Sequence, residues 1–284
     1  MAMAKAVSPA ERQHFVVIGS MKSGTTSLYQ HLLAHPDIGM SRMKETDYFV
    51  PSMNLSLGQK WYDKQFPEDA AVTGEVSPNY TKHDAFPGVP EQIAAYAPEA
   101  KLIFLARDPV DRFVSQYKHA LSMGHADVSP EDLLASDNGN HMLETSRYAA
   151  QLETFLKVFS RDQLLILDFK ELVDDPQSVI NEVTTFLGVA PLTIGDIATN
   201  NDAQSIAAMP GFVQRFWRSK FMRRIDPLIS RQMRDTARRL LSRGKAKPLP
   251  SVPQSVRDEA AALLREDAAA FRVLSGKPFA DWKI

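Results

Sequence analysis

Between Gly19 and Thr26 the sequence reads Gly-Ser-Met-Lys-Ser-Gly-Thr-Thr, placing one lysine and several small hydroxyl residues in a glycine-bounded turn. Such a turn, set between a strand and a helix N-terminus, offers free backbone N–H groups and the positive end of the helix dipole to an anion. The nucleotide-kinase version of the loop needs a lysine directly after its second glycine. Here that position is Thr25, and the lysine stands earlier, at Lys22. With no lysine placed to reach a terminal γ-phosphate, a triphosphate donor is disfavoured. A sulfuryl group carries less charge than a terminal phosphoryl, so one ammonium and several N–H donors suit its transfer without magnesium. A purely structural reading competes: a strand-to-helix junction uses glycine anyway, and Thr25 or Thr26 can cap the helix.

A second constellation is Arg107 with Ser115, eight residues apart and separated by Pro109. A helix begun at the proline brings its second turn back towards the preceding loop, where both side chains can meet one phosphate. The competing reading pairs Arg107 with Asp108 or Asp111. A third feature is the basic stretch from Arg215 to Lys247, with twelve Lys or Arg against two Asp. Charge runs of this kind are commonly a solvated helix face.

These residues need elements to position them. His14–Ser20 is a short β-branched apolar run ending in a glycine turn, as expected of a buried parallel strand. Leu28, His31, Leu32 and His35 then follow at helical spacing until Pro36. The same order recurs at residues 101–106, which lead through Arg107-Asp108-Pro109 into a helix carrying Val110, Phe113, Val114, Tyr117 and Leu121. A third strand is predicted at residues 163–168, after a helix through Leu152, Phe155, Leu156 and Phe159 and before one ending at Gly188. Alternation of this kind predicts an α/β fold: a P-loop-like central parallel β-sheet flanked by helices on both faces, with ligands at the carboxyl ends of the strands. The expected organisation is a single domain over 1–284, with a flexible N-terminus at 1–13 and a basic helical segment and loop at 200–253.

Composition removes several alternatives. There is no cysteine among the 284 residues, which excludes disulfides, thiolate metal sites and a cysteine nucleophile. The seven histidines form no H-E-x-x-H and no cluster with ligand spacing, so no metal is expected. No G-x-S-x-G elbow is present. A net charge of −1 argues against nucleic acid as a partner. No apolar run approaches the ~18 residues needed to span a bilayer, so the expectation is a cytoplasmic protein without an integral membrane segment.

The loop Gly19–Ile38 resembles the 5′-phosphosulfate loop of sulfotransferases that use 3′-phosphoadenosine 5′-phosphosulfate (PAPS), in the branch that includes heparan-sulfate-modifying enzymes. Further segments resemble that branch in order: Lys44–Phe49 its E-x-x-F-F segment, Gly74–Tyr80 its E-K-S-P-x-Y segment, Leu105–Tyr117 its 3′-phosphate segment, and Ser242–Pro248 its late nucleotide-covering loop. The resemblance implies that Lys22 contacts the bridging oxygen of the donor and that Ser23, Gly24, Thr25, Thr26 and Ser27 cradle the 5′-phosphosulfate. It further implies that Arg107 and Ser115 bind the 3′-phosphate, that Arg243, Gly244 and Lys245 close over the nucleotide, and that Glu45 is the general base. Glu75 is the alternative base. The product nucleotide would be 3′-phosphoadenosine 5′-phosphate (PAP), and the acceptor a small molecule or glycan.

The sequence departs from the branch at Asp47 and Lys247, where relatives carry histidine, and at Val76, where they carry lysine. Tyr148 is placed either near the cleft or in the core, and Trp61, Tyr62 and Phe66 either on the acceptor side or in packing. The alternative to a sulfotransferase is a P-loop-like nucleotide-binding protein, kinase-like or non-catalytic.

Overall fold

The computed structural model describes residues 12–123, 125–194 and 249–284. Its strands are β1 (Gln13–Gly19), β2 (Ile38–Met40), β3 (Val72–Val76), β4 (Lys101–Ala106) and β5 (Leu164–Asp168). They form one sheet in the order β2-β3-β1-β4-β5, and every pairing is parallel. The three strands predicted from apolar runs are present. β2 and β3 complete the sheet on the far side of β1.

Alternation along the strands explains why both faces are covered. In β1, Val16 and Ile18 point to one face and Phe15 and Val17 to the other, and all four are fully buried. The first face packs against α3 (Val89–Tyr96), α6 (Tyr148–Leu156) and α9 (Gln254–Ser275) through Ile93, Leu152, Phe155 and Phe271. The opposite face packs against α1 (Thr25–Leu33) and α8 (Pro176–Leu187) through Leu28, Leu32, Val179, Ile180 and Val183. On this side Gly74 leaves room for the Phe15 ring; a Cβ there would lie 2.0 Å from Phe15 Cζ. A third apolar cluster joins α4 (Pro109–Ser122), α5 (Asp137–Glu144) and α9. In α9 the buried residues Val256, Ala260, Leu264 and Ala268 recur every fourth position, the stripe expected of a helix laid along a core.

Two expectations are corrected. Gln13 belongs to β1 rather than to a flexible terminus: its N–H donates to the Ala71 carbonyl at 3.0 Å and its side-chain amide to the Leu187 carbonyl at 2.9 Å. The helix through Leu152 ends at Leu156, because Ser160 opens a new turn with a capping box to Gln163. Phe159 is buried just beyond it.

The first face also holds buried polar groups. The single Tyr62 proton goes to Glu75 Oε1 at 2.9 Å, so the neutral His14 ring donates from Nε2 to Tyr62 Oη at 2.9 Å. Its Nδ1 then accepts from Thr73 Oγ1 at 3.0 Å. Burial lowers the His14 pKa to about 3. An unfolded histidine titrates near 6.5, so below that pH the unfolded chain binds a proton that the folded chain refuses, and stability falls. Between pH 7 and pH 5 the His14 contribution is about 2 kcal/mol. His14→Gln keeps a donor and an acceptor without titrating. Thermal or denaturant unfolding should therefore show wild type losing stability to this variant on acidification, with equal losses counting against the assignment.

Candidate active site

The chain leaves β1 through α1 towards β2 and β3, and leaves β4 through α4 towards β5 on the other side. The carboxyl ends of β1 and β4 therefore flank a topological switch point, where adjacent loops diverge and open a crevice. The loop Ser20–Gly24 lines one edge of it and Arg107–Asp108 the other. Ser20 ties the two together: its N–H and its Oγ both donate to the Leu105 carbonyl, at 2.9 and 2.8 Å, and Ser23 Oγ lies 2.6 Å from Ser20 Oγ.

Gly24 is itself the N-cap of α1, with φ +83°, so neither Thr25 nor Thr26 takes the capping position. The helix has no acidic residue in its first turn, which leaves its positive end uncompensated by side chains. A Cβ on Gly24 would lie 2.8 Å from the Phe169 ring, so both the backbone angle and the contact require glycine. Ser23 and Thr25 are buried, Lys22 and Ser27 half-buried, and Thr26 exposed. Lys22 also has a positive φ, +71°, which costs a non-glycine residue about 1 kcal/mol. Burial lowers the pKa of its ammonium, and the Arg107 charge lowers it further, while Glu45 opposes both.

Arg107 reaches back across the crevice. Its Nη1 donates to the Lys22 carbonyl at 3.2 Å, and its guanidinium lies 4.8 Å from the centre of the Phe169 ring, the first residue of α7 (Phe169–Asp174). The carboxylates that might have neutralised it are engaged elsewhere. Asp108 caps α4, accepting from the Val110 and Asp111 N–H groups at 2.9 Å, and Asp111 pairs with Arg257 at 3.0 Å. Among the described residues no carboxylate lies within ion-pair distance of Arg107. Ser115 sits half-buried in the second turn of α4.

The other wall consists of the loops after β2 and β3. Glu45 and Asp47 both have positive φ, +62° and +46°, so with Lys22 three non-glycine residues of strained backbone gather around this crevice. The Glu45 N–H donates to the Val76 carbonyl at 2.8 Å, and its carboxylate pairs with Lys44 at 2.6 Å while its side chain stays 35% exposed. Glu75 has a different environment. It is wholly buried and accepts from Tyr80 at 2.7 Å, Ser77 at 2.8 Å, Tyr62 at 2.9 Å and Thr46. Burial raises its pKa, while the four hydroxyls work against that rise. A carboxylate enclosed in this way has structural work, and no face of it is open to an acceptor.

Sequence reasoning left three residues without their roles. Tyr148 is buried, but its hydroxyl donates to the Arg107 carbonyl at 3.0 Å and also interacts with Ser20 and Ser23. It therefore belongs to both core and loop. Phe169 carries the Arg107 contact, a role that sequence reasoning did not give it. Ser20 lies inside the predicted loop, but its bonds to β4 depend on strand order. Trp61, Tyr62 and Phe66 belong to packing, with Tyr62 and Phe66 inside the first-face core. Arg243, Gly244, Lys245 and the basic stretch Arg215–Lys247 lie outside the described residues. Among the described residues, no group of three or more His, Asp or Glu side chains could hold a metal ion, and no helix is long and apolar enough to cross a membrane.

Residues 12–213 match the family described as "Sulfotransferase domain". The chain belongs to the sulfotransferase family. A similar relative is the bifunctional heparan sulfate N-deacetylase/N-sulfotransferase 4 of Mus musculus, 35% identical over an alignment of 200 residues, with 62% of this chain and 22% of the relative covered. Another is the heparan sulfate glucosamine 3-O-sulfotransferase 3A1 of the same species, 32% identical over 184 residues, 61% of this chain and 45% of the relative. The aligned region thus spans less than half the length of these curated relatives. In fold, the chain is similar to a sulfotransferase from Alicyclobacillus acidocaldarius, with a TM-score of 0.68 and 23% identity over 96% of this chain and 99% of that one.

Within this sulfotransferase frame the glycine loop is the most constrained element. Gly24→Ala should force Phe169 and the loop apart, costing at least ~1 kcal/mol of stability and lowering nucleotide affinity at least ~10-fold. Calorimetric titration with PAP checks this; unchanged affinity would show that the loop does not hold the nucleotide.

Proposed function

We propose that the protein transfers the sulfuryl group of PAPS to an acceptor hydroxyl or amine, on a small molecule or glycan, by in-line displacement. The observation that carries the reading is the approach of Arg107 to the Lys22 backbone across the switch-point crevice, where its Nη1 donates to the Lys22 carbonyl and so sets the proposed 3′-phosphate ligand beside the loop lysine. PAPS is a substrate here. Ser23, Gly24, Thr25, Thr26 and Ser27 receive the 5′-phosphosulfate through loop and helix N–H groups and hydroxyls, and Arg107 and Ser115 receive the 3′-phosphate.

In the step itself, the acceptor oxygen or nitrogen forms a bond to sulfur as the bond from sulfur to the bridging oxygen breaks. PAP departs with that electron pair, and the acceptor proton passes to Glu45. Lys22 offsets the charge developing on the bridging oxygen. Glu45 is favoured over Glu75 as base because its side chain is partly exposed at the crevice, whereas Glu75 is enclosed by four hydroxyl donors. Arg243, Gly244 and Lys245 are assigned to covering the nucleotide on their sequence alone.

Two measurements test this. The chain should bind PAP at least ~100-fold more tightly than adenosine 5′-phosphate, and Arg107→Ala should abolish that preference. Equal affinities in the wild type would reject the nucleotide assignment. Glu45→Gln should lower sulfate transfer by at least ~100-fold while PAP affinity stays within ~3-fold. Full activity in this variant would move the base elsewhere.

A further inference from the structure

Two carboxylates, Asp108 and Asp111, follow Arg107 within four residues, yet neither takes its charge. Both are held instead by the C-terminal part of the chain. Arg257, the fourth residue of α9, donates from Nη1 to Asp111 Oδ1 at 3.0 Å, and the Lys283 ammonium lies 3.6 Å from the other oxygen, Oδ2. The Lys283 N–H donates to Asp108 Oδ2 at 2.6 Å, while Asp108 Oδ1 caps α4. The core fixes that backbone position. The Trp282 ring stacks on Phe279 and on Phe271 of α9, with ring centres 4.4 and 5.6 Å apart, and the Trp282 N–H donates to the Phe279 carbonyl at 3.1 Å.

The place of Asp111 on α4 gives this pairing its consequence. Residues four apart on a helix share a face, with about 5–6 Å between their Cβ atoms. Ser115 stands four residues after Asp111, and Arg107 four residues before it, in the loop that enters the helix. A 3′-phosphate received by Arg107 and Ser115 therefore arrives beside the Asp111 carboxylate. Like charges at that range repel, and a half-buried position screens them less than open solvent does. Burial pushes the Asp111 pKa up, but the bond from Arg257 and the charges of Lys283 and Arg107 outweigh it and hold the group below its ordinary value. The carboxylate is thus ionised at neutral pH, and cations rather than a proton must offset it.

We propose that Arg257 is a positioning residue for the donor nucleotide: by neutralising Asp111 it lets the first turns of α4 accept a phosphate dianion, the 3′-phosphate of PAPS. A guanidinium suits this task, because it stays charged at any working pH and its planar fork holds a carboxylate in a fixed direction. Lys283 is subordinate, since its ammonium is 75% exposed and solvent screens it. The inference rests on the reading that Arg107 and Ser115 hold the 3′-phosphate.

The test titrates the full chain calorimetrically with PAP and with adenosine 5′-phosphate, which lacks only the 3′-phosphate. Arg257→Gln should weaken PAP binding at least ~10-fold and leave adenosine 5′-phosphate within ~3-fold of wild type. Adding Asp111→Asn to that variant removes the charge that Arg257 offsets, and should return PAP affinity to within ~3-fold of wild type. Arg257→Lys should keep most of the PAP affinity. An unchanged ratio of the two affinities in Arg257→Gln would overturn the inference. So would a double variant as weak as Arg257→Gln, because the guanidinium would then be holding the phosphate itself. Equal weakening of both nucleotides, together with a lower melting temperature, would assign the pair to the packing of α4 on α9 instead. Failure of the nucleotide reading has a separate signature: the wild type would bind both nucleotides equally before any substitution.

Discussion

The buried carboxylate of Glu75 is the constraint on which the crevice wall after β2 and β3 depends. A wholly desolvated carboxylate is tolerable only when it is fully hydrogen-bonded, and here the donors come from separate stretches of chain: Thr46 after β2, Tyr62 in α2 (Gln59–Asp63), and Ser77 and Tyr80 after β3. His14 on β1 joins through Tyr62. One ionisable group thus fixes the approach of three elements, and the Glu45–Asp47 backbone is held in strained conformations between Thr46 and Ser77. Loss of any hydroxyl would leave a buried acceptor short of a partner, so the network acts as a unit rather than as a sum of weak bonds.

At the opposite edge of the crevice the same logic runs through Arg107. Its guanidinium touches the Lys22 carbonyl and the Phe169 ring, its own carbonyl accepts from Tyr148, and Phe169 in turn abuts Gly24. A ligand that draws Arg107 towards itself therefore acts on the geometry of the loop lysine as well. On the proposed reading, binding energy gained at the 3′-phosphate is in this way available to orient the reacting end of the donor.

Much of this arrangement was legible in the sequence. Apolar runs at 14–20, 101–106 and 163–168 are strands because β-branched and aliphatic residues fill both faces of a parallel sheet, and the glycine loop declared its own turn. The sheet edge was harder to read. β2 has only three residues, and β3 reads Val-Thr-Gly-Glu-Val, with a charged residue in a fully buried strand. Hydropathy alone cannot expose such a strand, because the partners that make Glu75 tolerable are 13 and 29 positions away in Tyr62 and Thr46. The contrast between Glu45 and Glu75 is likewise a matter of enclosure, and two glutamates in motif segments look alike until the hydroxyls around one of them are seen. Tyr148 illustrates the same limit, since an aromatic at helical spacing can fill the core with its ring and still serve the site with its hydroxyl.

The N-terminus of α6, which delivers Tyr148, has no cap of its own. Its Ala149 and Ala150 N–H groups are satisfied by Asp267 of α9, at 3.1 and 3.0 Å and as much as 118 residues downstream. All five strands are translated well before that carboxylate exists. The helix behind Arg107 is therefore anchored only by the docking of α9, which also covers the first face of the sheet.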